Sequence, residues 1–455
     1  MAFNFANLQP EKKAKKLIEP IELFQSLRVN DSSVNDLWLA QGDALRSWHQ
    51  KRDQRDIAVS LNTGAGKTLV GLLMAHSLVN ETRGLVLYAC SSIQLVRQTE
   101  AKAQGYGLPI TTYVGGDFSN ELANSGEAAC ITTYQALFNG RSVFANREIA
   151  GIVFDDAHAA EHLLRDHFTI QLKRDLFPQL YTDLANLFRD YFHRAGKASS
   201  FDEVVDDRMA KLLLVHPAET RASHHAILAA LRTAKVDQEK SSLFAWAHLK
   251  DHIDLCAFLL SGESITITPP FVPVRILPYF SRRETRRIYL SATFTGEDAF
   301  IRTFGRRADT TIAPTTTAGE CERMILIPSL MPGVGDDLAL AQQAIAPCKA
   351  LILTPSAHRA KSWAQTAPAT RENVTEAIEE FKRAEAPEKL LLTGRYDGVD
   401  LPGDTCRLVV IDELPTGMGP LERFLWEYLG LTSMLRTAVA SRVVQSFGRI
   451  SRGMS

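Results

Sequence analysis

Ser60-Leu61-Asn62-Thr63-Gly64-Ala65-Gly66-Lys67-Thr68 follows the apolar run Ile57-Ala58-Val59 and leads into Leu69-Val70-Gly71-Leu72-Leu73-Met74-Ala75. The first apolar run predicts a strand and the second a helix, with a glycine-rich turn, a lysine and a hydroxyl between them. That is the layout of a phosphate-binding loop, in a variant form with glycine at 64 and leucine at 61. Gly64 and Gly66 let backbone N–H groups converge on one concavity, and Ala65 between them adds little bulk. The helix N-terminus adds its positive dipole end. Lys67 is placed to reach the β- and γ-phosphates of ATP, and Thr63 and Thr68 flank the turn, Thr68 as a Mg²⁺ ligand.

A chain of 455 residues exceeds one ordinary core and predicts two or three domains. Hydrophobic residues make up 45% and charged residues 23%, the balance of a soluble globular protein. The formal net charge is −1, so polyanion binding must come from local patches and not from a global field. The six cysteines are scattered without C-x-x-C spacing, which predicts free thiols in a reducing compartment. Lys12-Lys13-Ala14-Lys15-Lys16 is followed by no signal-peptide core, and no apolar run is long enough to span a bilayer. A cytoplasmic protein with no membrane partner is the expectation.

Working outward, residues 1–36 read as a polar, partly helical lead-in. From 37 to 160 apolar strands alternate with amphipathic helices, the pattern of an α/β parallel sheet. Gly84–Ala89, Ala129–Thr133 and Gly151–Phe154 are expected strands. Residues 161–285 read as strand-poor and helical. There Phe177, Leu180, Tyr181, Leu184, Leu187, Phe188 and Tyr191 form a stripe better explained as a packed helix face than as a base-stacking surface. The Pro-punctuated Ile265–Pro270 leads back to the sheet, which resumes at Arg287–Leu290. From 321 to 455 a second α/β pattern predicts strands at Met324–Ile327, Ala350–Leu353, Lys389–Leu392 and Arg407–Ile411, with a helix at Val374–Arg383.

A phosphate loop needs an acid at the end of a neighbouring strand, and Phe154-Asp155-Asp156-Ala157-His158 supplies one. Asp155 suits the Mg²⁺ shell and Asp156 the attacking water. A motor also needs charge stabilisation from a second domain. Gln445-Ser446-Phe447-Gly448-Arg449-Ile450-Ser451-Arg452 puts two arginines three apart, able to present paired guanidinium groups to a γ-phosphate.

Together these stretches resemble a superfamily 2 helicase. The phosphate loop resembles motif I, Asp155–His158 the DEAH form of motif II, Ser291-Ala292-Thr293 motif III, and Gln445–Arg452 motif VI. The resemblance is closest to the XPD/DinG branch. Tyr396–Gly403 resembles its motif V, Ser91-Ser92-Ile93-Gln94-Leu95 its motif Ia, and Thr132-Thr133-Tyr134-Gln135 a motif Ib. The resemblance implies two RecA-like domains, 37–160 with 286–320 and 321–455, with an arch-like helical insertion at 161–285 in the first.

It also implies roles for single residues. Gln41 stands where the family reads adenine; Gly398 and Asp400 join the nucleotide set; Lys67, Asp155, Asp156, Gln445, Arg449 and Arg452 carry catalysis. Ser91, Ser92, Thr133 and Tyr134 would grip a single-stranded nucleic acid, DNA before RNA, while Ser291 and Thr293 couple that grip to the nucleotide. The implied activity is ATP-dependent movement with 5′-to-3′ polarity.

Three departures stand out. Asp156 replaces the usual glutamate, the cysteines that hold the branch's iron–sulfur cluster are absent, and the chain stops three residues past Arg452, an expected truncation. The missing cysteines leave open a clamp or translocase that does not separate strands. A scaffold with a vestigial core is the third reading, opposed by the retained Lys67, Thr68, Asp155, Arg449 and Arg452. His158-Ala159-Ala160-Glu161-His162 matches a zinc-protease spacing but overlaps motif II, so no metal beyond Mg²⁺ is expected. Arg282, Arg283, Arg286 and Arg287 read equally as a channel lining or a solvated turn.

Overall fold

In chain order, the apolar run before the phosphate loop is β1 (Asp56–Ser60), followed by β2 (Leu85–Cys90), β3 (Ile110–Val114), β4 (Asp117–Phe118), β5 (Ala129–Thr133) and β6 (Ile149–Phe154). A computed structural model describes residues 16–30, 36–62, 64–157, 160–206, 208–209, 211–292, 297–315, 324–363, 366–370, 373–394, 401, 405–414 and 419–447. Then come β7 (Ile170–Lys173), β8 (Leu213–Val215), β9 (Ala257–Leu260), β10 (Ser264–Thr268), β11 (Arg286–Ser291) and β12 (Thr310–Ile312). The last described strands are β13 (Ala350–Thr354), β14 (Pro368–Ala369), β15 (Lys389–Thr393) and β16 (Leu408–Ile411).

The first sheet runs β12-β1-β11-β6-β2-β5-β3-β4, and every pair in it is parallel except β3 with β4. A parallel sheet is covered on both faces, which is why its strands read as unbroken apolar runs. The two-residue alternation then divides each strand between two cores. Tyr88, Val153 and Leu290 pack on the face of the helix Lys67–Thr82 with Leu69, Val70 and Leu73. Leu87, Phe154 and Tyr289 face the other way, onto Phe138, Phe280 and Phe304.

The segment expected to be strand-poor holds an antiparallel sheet of its own, ordered β7-β10-β9-β8. Ile265–Thr268, read as a lead back to the main sheet, is one of its strands. Helices surround it as expected. The aromatic stripe is the buried face of the helix Pro178–Arg194, where Leu180, Tyr181, Leu184 and Phe188 meet Phe258 and Ile265; Leu187 alone of the stripe is exposed.

The third sheet, β14-β15-β13-β16, is wholly parallel. Val374, Ile378 and Phe381 of the helix Val374–Arg383 pack on Leu351, Leu353, Leu390 and Leu392. Met324–Ile327 is not a strand: it pairs with none among the described residues, and Met324 is 87% exposed. An apolar run gives its own β preference but not whether a neighbour exists to complete the ladder. Arg165 meets Glu422 of the helix Pro420–Glu427 at 2.6 Å, and the Leu212 N–H donates to the Tyr428 hydroxyl at 3.4 Å, joining the third sheet's segment to the earlier chain.

The arginine cluster at 282–287 divides: Arg283 is exposed in a bend, whereas Arg282, Arg286 and Arg287 make internal contacts. Arg287 is wholly buried and donates from Nε and Nη2 to the two oxygens of Asp56 at 2.6 and 2.8 Å. Tyr289 (2.8 Å) and Arg306 (2.9 Å) donate to the same carboxylate. Burial opposes the charged form of Asp56, but those hydrogen bonds outweigh it and hold the carboxyl below its ordinary range. Arg286 pairs with Glu81, and Arg282 donates to the Arg147 carbonyl. Replacing Arg287 with alanine strips a buried carboxylate of its bidentate partner and should cost about 3 kcal/mol or more, measured by urea unfolding. A cost below about 1 kcal/mol would show that Arg306 and Tyr289 suffice.

Candidate nucleotide site

The C-terminal edge of the first sheet gathers the candidate residues because β1, β11 and β6 are neighbours there, with β2 beside β6. Open parallel sheets carry ligands at this edge. β1 ends in the phosphate loop, β11 ends at Ser291, and β6 runs directly into Asp155. Main-chain bonds fix the junctions: Leu61 N–H donates to the Ser291 carbonyl and Asp155 N–H to the Ala89 carbonyl, each at 2.9 Å.

Within the loop, Gly64 and Gly66 take φ values of +89° and +72°, which L side chains rarely adopt. A Cβ on Gly66 would also fall 2.2 Å from the Gln41 side-chain nitrogen. Gln41 is buried and braces the turn: its Oε1 accepts from the Trp38 N–H at 3.0 Å, and its Nε2 donates to the Ala65 carbonyl at 2.9 Å. The residue expected to read adenine is thus spent, in this arrangement, on the shape of the loop. Lys67 opens the helix Lys67–Thr82, with Thr68 half-buried beside it.

Lys67 Nζ stands 3.9 Å from Asp156 Oδ1. Asp156 has a φ of +50°, a left-handed conformation that aspartate tolerates better than most residues. Asp155 is buried, and its carboxyl is pushed up to about 6 by burial and by the neighbouring Asp156, against the pull of Lys67. A carboxylate held at this cost favours an arriving cation. One carboxylate and one hydroxyl beside a phosphate cradle are hard oxygen donors that suit Mg²⁺, which keeps several waters and takes the rest of its shell from phosphate.

The remaining candidates divide. Ser92 and Thr133 accept from the N–H groups of Leu95 (3.3 Å) and Ala136 (3.1 Å) as N-caps of the helices that follow β2 and β5. Ser91 is half-buried next to Ser92, and Ser291 is buried at the end of its strand. Tyr134 makes an internal contact. It is buried, and its hydroxyl donates to the Asp155 carbonyl at 3.0 Å. Gln445 lies in the helix Thr432–Phe447, but its side chain is outside the described residues, as are Thr63, Thr293, Gly398, Asp400, Arg449 and Arg452. His158 lies outside them too, and no metal-binding cluster occurs among the described residues.

Sequence reasoning singled out no role for Tyr88, a buried tyrosine beside the acid. Its signal was a single hydroxyl-bearing ring within the aliphatic strand Leu85-Val86-Leu87-Tyr88-Ala89, next to the strand that delivers the acid.

Residues 36–215 match the family model ResIII, described as Type III restriction enzyme, res subunit. No curated protein matches the chain by sequence. Among solved structures, an XPD helicase is similar at 13% identity and TM-score 0.56, over 91% of this chain and 93% of that one. Xpd4 of S. tokodaii is similar at 15% identity and TM-score 0.52, over 90% and 91%. XPD in its apo form is similar at 15% identity and TM-score 0.56, over 89% and 91%. The chain resembles a superfamily 2 helicase of the XPD branch, and its α/β fold with RecA-like parallel sheets is theirs. No helix among the described residues is long and apolar enough to cross a membrane.

Proposed function

We propose that this chain, with the fold of the XPD helicases, hydrolyses ATP to move on single-stranded nucleic acid. The observation that carries the reading is the meeting of Lys67, Asp155 and Asp156 at the sheet edge where the phosphate loop ends β1. The glycine turn and helix N-terminus would cradle the phosphates, with Lys67 on the β- and γ-phosphates. Mg²⁺, when bound through Thr68 and Asp155, neutralises developing charge on the phosphate oxygens. Asp156 would orient the attacking water, and Arg449 and Arg452 would reach over from the second domain, 321–455. Closure onto the nucleotide and reopening after hydrolysis would turn turnover into movement.

The nucleic acid would lie across the first domain, 37–160 with 286–320, and the second, beneath the insertion at 161–285. Ser92 and Thr133 support this: each hydroxyl accepts from a backbone N–H and can still donate its proton to a phosphate oxygen. Such contacts ignore sequence. DNA is favoured over RNA, and 5′-to-3′ polarity follows from the resemblance. Buried thiols at Cys90, Cys130, Cys256 and Cys406, none in a disulfide, support a reducing, cytoplasmic setting.

The test is ATP turnover measured in parallel with no nucleic acid, single-stranded DNA, duplex DNA and RNA. Stimulation by single strands, greatest with DNA, is expected; equal turnover in all four would remove the motor. A strand-displacement assay alongside separates a helicase from a translocase that grips without unwinding.

A further inference from the structure

Asp155 is approached by a tyrosine from each face of the first sheet. Tyr88, on β2, lies on the phosphate-loop side and is fully enclosed; its hydroxyl lies near enough to the Asp155 carboxylate to feel its charge but makes no hydrogen bond among the described residues. Tyr134 lies on the opposite side, stacked on Phe154 at 5.9 Å between ring centroids, and its hydroxyl donates to the Asp155 carbonyl at 3.0 Å. That carbonyl belongs to the peptide joining Asp155 to Asp156, whose φ is +50°.

The helix beside Tyr88 is shaped for its ring. Gly71 sits one turn after Lys67, where glycine in a helix interior costs about 0.5–1 kcal/mol relative to alanine. A Cβ there would fall 2.9 Å from Tyr88 Cε2, 3.3 Å from its hydroxyl and 2.5 Å from Leu290 Cδ1. The missing side chain gives the ring its place. A phenylalanine would fill the same space, so packing alone does not account for the buried hydroxyl, whose desolvation costs about 1–3 kcal/mol when it finds no good partner.

From this geometry we infer that Tyr88 and Tyr134 are positioning residues for the two acids. Tyr88 orients the Asp155 carboxylate toward the cation, and Tyr134 fixes the peptide that aims Asp156. The inference rests on the proposed nucleotide site and deepens it. Groups that orient a metal's ligand typically change metal affinity or activity 10–100-fold when removed.

Two isosteric variants test it in the full chain. Bound to the non-hydrolysable analogue AMP-PNP, Tyr88→Phe should weaken Mn²⁺ binding, read by electron paramagnetic resonance, by about 10-fold. Its melting temperature without metal or nucleotide should not fall, because the hydroxyl has no strong partner to lose. Tyr134→Phe should lower kcat by about 10-fold at saturating Mg²⁺ while leaving Mn²⁺ affinity within about 2-fold. A purely structural role would move melting temperature and leave this affinity-against-kcat split absent. Unchanged Mn²⁺ affinity in Tyr88→Phe, or unchanged kcat in Tyr134→Phe, overturns the inference. The underlying site fails separately: there Lys67→Ala would turn over ATP like the wild type.

Discussion

Replacing Lys67 with alanine is expected to lower ATP turnover by about 10²–10³-fold, the usual cost of removing one preorganised charge from a transition state. Single-strand binding should persist, since the proposed contacts at Ser92 and Thr133 belong to β2, β5 and their helices and do not involve the loop. The variant should fold: Lys67 occupies the first turn of a helix whose inner face is built from Leu69, Val70 and Leu73, and alanine is the strongest helix former. What changes locally is Asp156, which loses the cation 3.9 Å away. Steady-state phosphate release beside single-strand binding by anisotropy checks both halves. Wild-type turnover would mean that the loop does not hold the γ-phosphate.

Arg449→Ala is expected to reduce turnover by about 10³–10⁵-fold, the range measured when an arginine finger is withdrawn from a phosphoryl transfer. The residue would act from the second domain, so nucleotide affinity should change little while kcat collapses. Arg449→Lys should recover only part of the loss, because an ammonium lacks the planar fork that engages two phosphate oxygens. Single-turnover hydrolysis with measured nucleotide affinity separates these outcomes. A large loss of affinity with kcat intact would make Arg449 a binding residue and not a finger.

The central strands of the first and third sheets were legible because burial on both faces forces unbroken apolar runs, as in Leu85–Cys90 and Ala350–Thr354, whereas β3, β4, β12 and β14 drew no expectation. The same signal misled at Met324–Ile327, where a strand-like sequence has no strand beside it among the described residues. The insertion's sheet was invisible for the opposite reason. β8 is three residues and β7 and β9 four each, too short for periodicity to rise above the helices around them.

Within the site, the phosphate loop and the two acids were readable because local sequence sets them: a turn, a helix start and a strand end. Gln41 was expected to read adenine by resemblance, and its bond to the Ala65 carbonyl emerges only in three dimensions. Residues defined by distant partners could not be read. Arg287 looked like surface charge until Asp56, 231 positions away, met it in the core. Tyr134 was expected at the nucleic acid, and the bond from its hydroxyl to the Asp155 carbonyl could not be read from local sequence.

In the proposed engine one nucleotide is held between two walls, Lys67 and the acids on one and the arginines on the other. A crystal structure of the chain with AMP-PNP and Mg²⁺ measures this directly. The prediction is that Lys67 Nζ and the Arg449 guanidinium both lie within hydrogen-bonding distance of the γ-phosphate, about 2.7–3.2 Å. An analogue bound at Lys67 with Arg449 and Arg452 turned away, and no hinge able to bring them to it, would contradict the account.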